Sequence, residues 1–496
     1  MTRFSWIDYG LFAAYLAASV FIGVLFTKEQ RTVRDFFLAG RSMGSVVVAV
    51  SVLAAIFSGI TYLGAPAEVY AYGMAFFLFF FSFFIATPIT NLVFMPVFYR
   101  SRMYTAYQFL EERFSVQVRL LASALFILRV LLWLALATYA PALALEQVTG
   151  LPLWFTILCT GALTTLYTTA GGMKAVIWTD VMQFVVLFGG QLLIMFVALN
   201  HVPGGVSGMI EMGREARKFD VSFSFDPNVR LTLWGMLLGG AVINLVQMAT
   251  DQVSVQRYLT ARSMREAQRS LWLKLWLLLP VLIVFYVTGL AIWAFYHVKG
   301  DPLAAGAIKK ADYILPYFVI NELPRGMPGL LIAAIFAASM STISAGINAL
   351  TTATLVDFHQ RGWRKSSDPE GVNLGLARWL TLTYGVLVIA LAFVVKKLGP
   401  LLEASNKAIG LVGGPLLGLF LLGILVRRAN TVGAIAGWLV GVLVLIPVCF
   451  HTKVSFLWYG VVGCGVTMLV GWTVSGLFPA SKPPVEPQPA EVAQPD

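Results

Sequence analysis

Apolar runs of eighteen or more residues recur from one end of this chain to the other, and no other feature limits its fold so sharply. Each run is long enough to cross the hydrocarbon of a bilayer as a helix. Inside that hydrocarbon the backbone has to satisfy its own hydrogen bonds. The chain is 496 residues long, 58% hydrophobic and 12% charged, whereas an ordinary soluble domain is about 25% charged. The expectation is an all-α polytopic membrane protein whose main solvent is the lipid bilayer.

The runs divide into thirteen spans, at 8–26, 44–71, 76–98, 118–145, 153–169, 175–200, 231–250, 271–296, 329–356, 377–395, 401–426, 433–450 and 455–477. Basic residues cluster in alternate loops: Lys28 to Arg41, Arg100 to Arg119, Arg257 to Lys274, Arg361 to Arg378, and Arg427 with Arg428. Cytoplasmic loops carry such excesses, which puts the N-terminus outside and the C-terminus in the cytoplasm of a multi-pass cell-membrane protein. The same distribution accounts for the net charge of +11 without nucleic acid. Cys159, Cys449 and Cys464 have no metal-site or disulfide spacing, and His201, His297, His359 and His451 lie singly near helix ends. The N-terminus does not read as a cleavable signal, because only Arg3 precedes the first apolar run. Residues 479–496 are proline-rich and polar, the composition of a disordered cytoplasmic tail.

Interruptions in the spans matter because lipid tolerates broken backbone only where it lines a cavity or is buried in protein. Ser58-Gly59 interrupts the second span, Gly239-Gly240 the seventh, and Gly413-Gly414-Pro415 marks a kink in the eleventh. Five helices counted from the second span and five from the seventh form two sets of opposite orientation, each opening on an interrupted helix. Matched interruptions in inverted repeats point to a secondary transporter with a midplane site. Glycines that only allow close helix packing are the competing reading. The boundaries that follow are 1–43 for an extra helix and loop, 44–201 and 231–426 for the two repeats, and 202–230 for an extracellular loop. Residues 427–478 then hold two C-terminal helices.

Two ionisable residues fall inside spans, Arg129 in "LFILRVLLW" and Asp180 in "AVIWTDVMQ". Such residues are functional candidates, although Arg129 can snorkel and Asp180 can sit at the interface. Glu68, Glu146, Asp251 and Lys407 lie nearer helix ends, where water accounts for them. The stretch "AASMSTISAGINAL", 337–350, sets Ser339, Ser341, Thr342 and Ser344 in an otherwise apolar helix. Ser341 and Thr342 can converge on one point between helices, as a hard cation requires, or back-bond to their own helix.

Five segments, "LGAPAEVYAYG" (63–73), "TYAPALALEQVTG" (138–150), "GGMKAVIWTDVMQ" (171–183), "TDQVSVQRYLTA" (250–261) and "GLLIAAIFAASMSTISAGINALTTATLVDF" (329–358), together resemble the sodium/solute symporter family. The resemblance covers roughly residues 5–450 and implies a LeuT-like five-plus-five inverted repeat with about 13 transmembrane helices. It implies a main sodium site on Ala54, Phe57, Ala338, Ser341 and Thr342. It also implies a second site, present in some members, on Asp180, Ser341 and Ser344; Ala345 departs from that pattern, since those members carry a hydroxyl there. For substrate it points to Ser58 and Thr61 in the interrupted helix, Phe76 as an apolar wall, and Arg129 or Trp133 as the counterpart of a carboxylate-holding arginine. The first, second and last segments are most similar to the monocarboxylate, multivitamin and iodide branch, whose substrates are anions.

The implied function is sodium-coupled (Na+) symport of a small organic anion, such as a monocarboxylate or sialic-acid-like acid, by alternating access. Sugar, amino-acid or vitamin symport is the alternative, and an uncoupled channel or solute sensor lies in a different class. An enzyme is disfavoured by the lack of a histidine or carboxylate cluster near one interface and of a Walker-type phosphate loop. No obligatory protein partner is evident. Energetics make the sodium count matter. One inward sodium gains about 2.3 kcal/mol per 100 mV, but a one-to-one cycle with a monoanion is electroneutral and keeps only the concentration term.

Overall fold

The computed structural model describes residues 5–29, 32–100, 103–324, 326–363, 374–395 and 401–479. Arg31, residues 364–373 of the ninth loop, the tail from residue 480, and the side chains of Lys28, Arg100 and Lys407 lie outside the described residues. Regular structure among the described residues is helical. One isolated parallel bridge, Met43 to Ala261, ties two loops together at one end of the bundle.

The spans are α1 (Trp6–Leu25), α2 (Ser45–Ile56) with α3 (Gly59–Tyr72), α4 (Ala75–Tyr99), α5 (Val116–Thr149), α6 (Leu153–Asn200) and α7 (Gly235–Thr250). They continue as the short α8 (Gln252–Tyr258), then α9 (Met264–Lys299), α10 (Met327–Arg361), α11 (Leu374–Ala392), α12 (Leu401–Leu425), α13 (Thr431–His451) and α14 (Tyr459–Leu477). α10 lies at the centre, with 94% of its apolar window buried.

The two spans expected at 153–169 and 175–200 are the two halves of α6, 48 residues in all, which meet at a kink at Gly172. At 1.5 Å per residue α6 is roughly 70 Å long, more than twice the hydrocarbon thickness of about 30 Å. It therefore crosses twice, turning at Gly172, whose φ of +56° suits a residue without Cβ. This elbow rests on α1. Gly171 packs against the Gly23 backbone and Gly23 against Tyr167. Lys174 is paired with Glu29 and lies 5.3 Å from the Phe26 ring centre. Counting α6 twice and α2 with α3 once, the thirteen expected spans each have a counterpart.

The interruptions fall differently from the glycine pattern. The second span does break where expected: α2 and α3 meet at 63° across Phe57 and Ser58. Gly59 then presses so closely on Ser339 Oγ that a Cβ has no room. The seventh span does not break at Gly239-Gly240. Both are helical and packed, Gly239 on Leu457 and Gly240 on Phe79 and Ser82. The break lies at Asp251, which is extended (φ −85°, ψ 118°) and starts α8 by accepting from the Val253 N–H at 3.0 Å. At Gly413-Gly414-Pro415 helix runs through all three residues, with Pro415 inside it; Gly413 packs on Val246 and Gly414 on Gly460. In the seventh and eleventh spans the glycines serve packing, and a capping carboxylate makes the second break.

Candidate functional site

The hydroxyls of α10 meet the unwound end of α2. Ser341 Oγ donates to the Ala338 carbonyl at 3.0 Å and lies 3.1 Å from that of Ala54. Thr342 Oγ1 lies 3.1 Å from the carbonyls of both Ala338 and Ala55. Back-bonding and convergence, posed as alternatives on the sequence, occur together. Phe57, also expected here, caps α2 at φ −77° and ψ 75°, off the helical path. The cluster is buried among apolar side chains, and carbonyl and hydroxyl oxygens are the ligands a hard cation takes. Ser344 Oγ donates instead to the Ser341 carbonyl at 3.1 Å.

Asp180 is fully buried on α6. Its Oδ2 accepts from Arg257 Nη2 at 2.8 Å and from Ser51 Oγ at 2.5 Å, while Oδ1 has no hydrogen-bond partner. Arg257 Nε also donates to Ser51 Oγ at 2.9 Å. Neither Arg257 nor Ser51 was foreseen. Arg257 counted as a loop residue because it lies on the short helix α8, which begins beyond the Asp251 break.

Ser58, Thr61, Phe76, Arg129 and Trp133 all line one cavity of about 1050 Å³ including its mouth. Arg129 and Trp133, one turn apart on α5, both reach it. Phe57, Phe76, Phe79, Phe80, Phe83 and Tyr286 supply aromatic wall. Ala55 and Phe57 touch this cavity as well, so the hydroxyl cluster and the cavity share the α2–α3 break.

The cavity has a second charge that sequence reasoning assigned to water. Asp251 is buried, lines the same space, and accepts from Arg129 Nη2 at 2.6 Å. Arg129 Nε has no partner. Asn244, Gln247 and Ser254 add polar lining, and Asn244 Nδ2 donates to Ser82 Oγ at 2.7 Å. Asn244 and Gln247 were visible as polar residues in an apolar span. Asp251 was hidden by its position at the end of one.

At the end of α3 away from Gly44, Glu68 is also buried rather than solvated. It accepts from both terminal nitrogens of Arg230, at 2.7 and 2.9 Å, and the guanidinium lies 4.1 Å from the Tyr72 ring centre. Beside it Lys218 donates to the Tyr70 carbonyl at 2.7 Å and faces Trp293 at 4.9 Å. Burial lowers the Lys218 ammonium below the usual lysine range, against the pull of Asp301.

A broken helix whose freed carbonyls face paired hydroxyls, beside a cavity holding a buried ion pair, is a transporter's arrangement. Residues 36–441 match the description "Sodium:solute symporter family". The chain belongs to this family. Human sodium-coupled monocarboxylate transporter 1 is 37% identical over 441 residues, covering 88% of this chain and 72% of that protein. The sodium-dependent multivitamin transporter of Oryctolagus cuniculus is 36% identical over 449 residues, covering 89% and 70%. The solved substrate-bound, outward-open state of a Na+-coupled sialic acid symporter superposes with a TM-score of 0.88 at 32% identity, covering 96% of this chain and 99% of that one. The family member described here is thus a multi-pass, sodium-coupled symporter of a small solute, with the LeuT-like fold and no enzymatic role.

Proposed function

We propose that this symporter imports a small organic anion of the monocarboxylate class together with sodium. The observation that carries the reading is Arg129. It lies in the wall of a cavity that begins at the sodium-type oxygen cluster, and its Nε–H is unpaired. Charged donors of this kind bind carboxylates well in a dry site. Relatives named for monocarboxylate transport at 37% identity support the same class, and the aromatic wall suits a short apolar tail.

Sodium binds to the carbonyls of Ala54 and Ala338, the hydroxyls of Ser341 and Thr342, and the carbonyl of Phe57. Ser58 and Thr61 meet the polar end of the substrate, and Phe76 and Trp133 enclose it. Around Asp180 the oxygen set is poorer: Arg257 and Ser51 occupy Oδ2, Ser344 is turned to its own helix, and position 345 is alanine. We therefore count one sodium per cycle. The basic loops orient the protein in the plasma membrane with the N-terminus outside, so that the Gly44 end of α2 faces the cytoplasm. The repeats span 44–201 and 231–426.

Proteoliposome uptake of labelled lactate, glucose and proline, with and without an inward sodium gradient, tests the proposal. Sodium-driven lactate uptake that is unaltered by an imposed membrane potential is expected. Sodium-driven uptake of glucose or proline with none of lactate overturns the anion reading, and uptake that follows voltage overturns the count of one.

A further inference from the structure

A second cation lies against the cavity, outside the site described above. Lys274 on α9 is 1% exposed, its Nζ has no hydrogen-bond or ion-pair partner, and it lies 4.7 Å from the centre of the Phe83 ring. Phe83 is a wall of the cavity, as are Leu278 and Leu282, which follow Lys274 at successive turns of α9. The ammonium is therefore about one helical turn beyond the cavity, towards the end of the bundle where Met43 meets Ala261.

The seam between α4 and α9 continues in the same direction. Asn91 Nδ2 donates to the Gln268 carbonyl at 3.1 Å, and Gln268 Nε2 to the Asn91 carbonyl at 3.2 Å. Thr87 lies on α4 between that contact and Phe83. Thr87 Oγ1 and Asn91 Oδ1 are both buried and without partners. Buried polar groups are ordinarily satisfied, and a buried charge is ordinarily paired. Arg129 meets these rules through Asp251; Lys274 does not, because no carboxylate among the described residues pairs with it.

We propose that Lys274, with the Thr87 hydroxyl, is a second carboxylate-binding station, which takes the substrate anion between the central cavity and the Gly44 face. The inference rests on the monocarboxylate reading above. The Arg129–Asp251 pair is neutral as a unit, whereas Lys274 is a basic side chain beside the cavity with no carboxylate partner among the described residues. The ring of Phe83 separates the two stations and holds the ammonium by its π-face when no anion is present.

The test uses the full chain in proteoliposomes with lactate as probe. Lys274→Met is expected to raise the KM for lactate about tenfold or more, the worth of one hydrogen bond to a charged group. The half-saturating sodium concentration stays unchanged, a separation that a packing role does not produce. Lys274→Arg keeps the charge and recovers most of the affinity. Thr87→Val preserves volume, tolerates a folding-sensitive site, and is expected to raise the KM several-fold. An unaltered KM in Lys274→Met, or in Thr87→Val should the lysine variant not fold, overturns the station. Wild-type protein that takes up no monocarboxylate refutes the substrate reading itself, and the station with it. Wild-type uptake with unaltered variants refutes the station alone.

Discussion

Replacing Arg129 by glutamine should do more than remove a hydrogen bond. Arg129 and Asp251 are both almost fully buried and joined at 2.6 Å, and both line the cavity. Without the guanidinium, the Asp251 carboxylate remains in the wall as an uncompensated negative charge. Two like charges about 6 Å apart at an effective dielectric of about 20 repel by roughly 3 kcal/mol. That is about a hundredfold in affinity for an anionic substrate, before the lost contact itself is counted. Arg129→Gln should therefore raise the lactate KM by at least about a hundredfold. Adding Asp251→Asn removes the repulsion and should recover most of that factor. Asp251→Asn alone frees the guanidinium and should tighten anion binding. Stability gives a parallel readout: either single change strands a buried charge at a cost of about 3–5 kcal/mol, whereas removing both is close to neutral. Sodium-driven uptake and thermal unfolding in detergent measure the two effects. The reasoning fails if the double variant transports lactate no better than Arg129→Gln, or if Asp251→Asn alone weakens lactate as much as Arg129→Gln does.

Three further outcomes are expected. Ser341→Ala or Thr342→Ala should raise the sodium concentration for half-maximal uptake several-fold, by removing one oxygen of the shell; sodium dependence unaltered in both would leave the hydroxyls a packing role only. Gly59→Ala should abolish uptake, because its Cβ collides with Ser339 Oγ. Gly59→Ala with Ser339→Ala should restore it, since the remaining Ser339 Cβ is an ordinary 3.4 Å away; failure of the rescue would place the requirement for glycine elsewhere. Asp180→Asn should lower the melting temperature by leaving the Arg257 guanidinium unpaired, at about 3–5 kcal/mol, without altering the sodium-to-solute ratio. A ratio that falls from two to one would instead make Asp180 a sodium ligand.

The spans were legible because each apolar run has to satisfy its own backbone in lipid, a requirement that acts residue by residue along the chain. The hydroxyls of Ser341 and Thr342 were legible for a similar reason, as polar atoms where hydrocarbon offers them nothing. What the sequence concealed lies in contacts between distant segments. Asp251 and Arg129 are 122 residues apart, and Asp180 and Arg257 are 77 apart. Neither acid's burial nor its partner could be read until the distant segments met. One glycine pair misled in the opposite direction. Gly239-Gly240 read as a break, yet packing against Leu457 and Phe79 holds both residues helical. The true second break needed only one side chain to cap a new helix. The gap left between spans at 170–174 does hold the turn; what the sequence did not show is that one residue of positive φ, Gly172, makes it without a loop.

That elbow has a use beyond its place in the fold. Two crossings meet there without a connecting loop, and α1 is laid along the joint through Gly23, Phe26 and Glu29. A spectroscopic label placed beside this packed joint gives a fixed point on α1 and α6. Distances from that label to α2, α3 or α7 through a transport cycle report how those helices move relative to the joint. The joint thus offers a common reference from which the parts of the symporter can be timed.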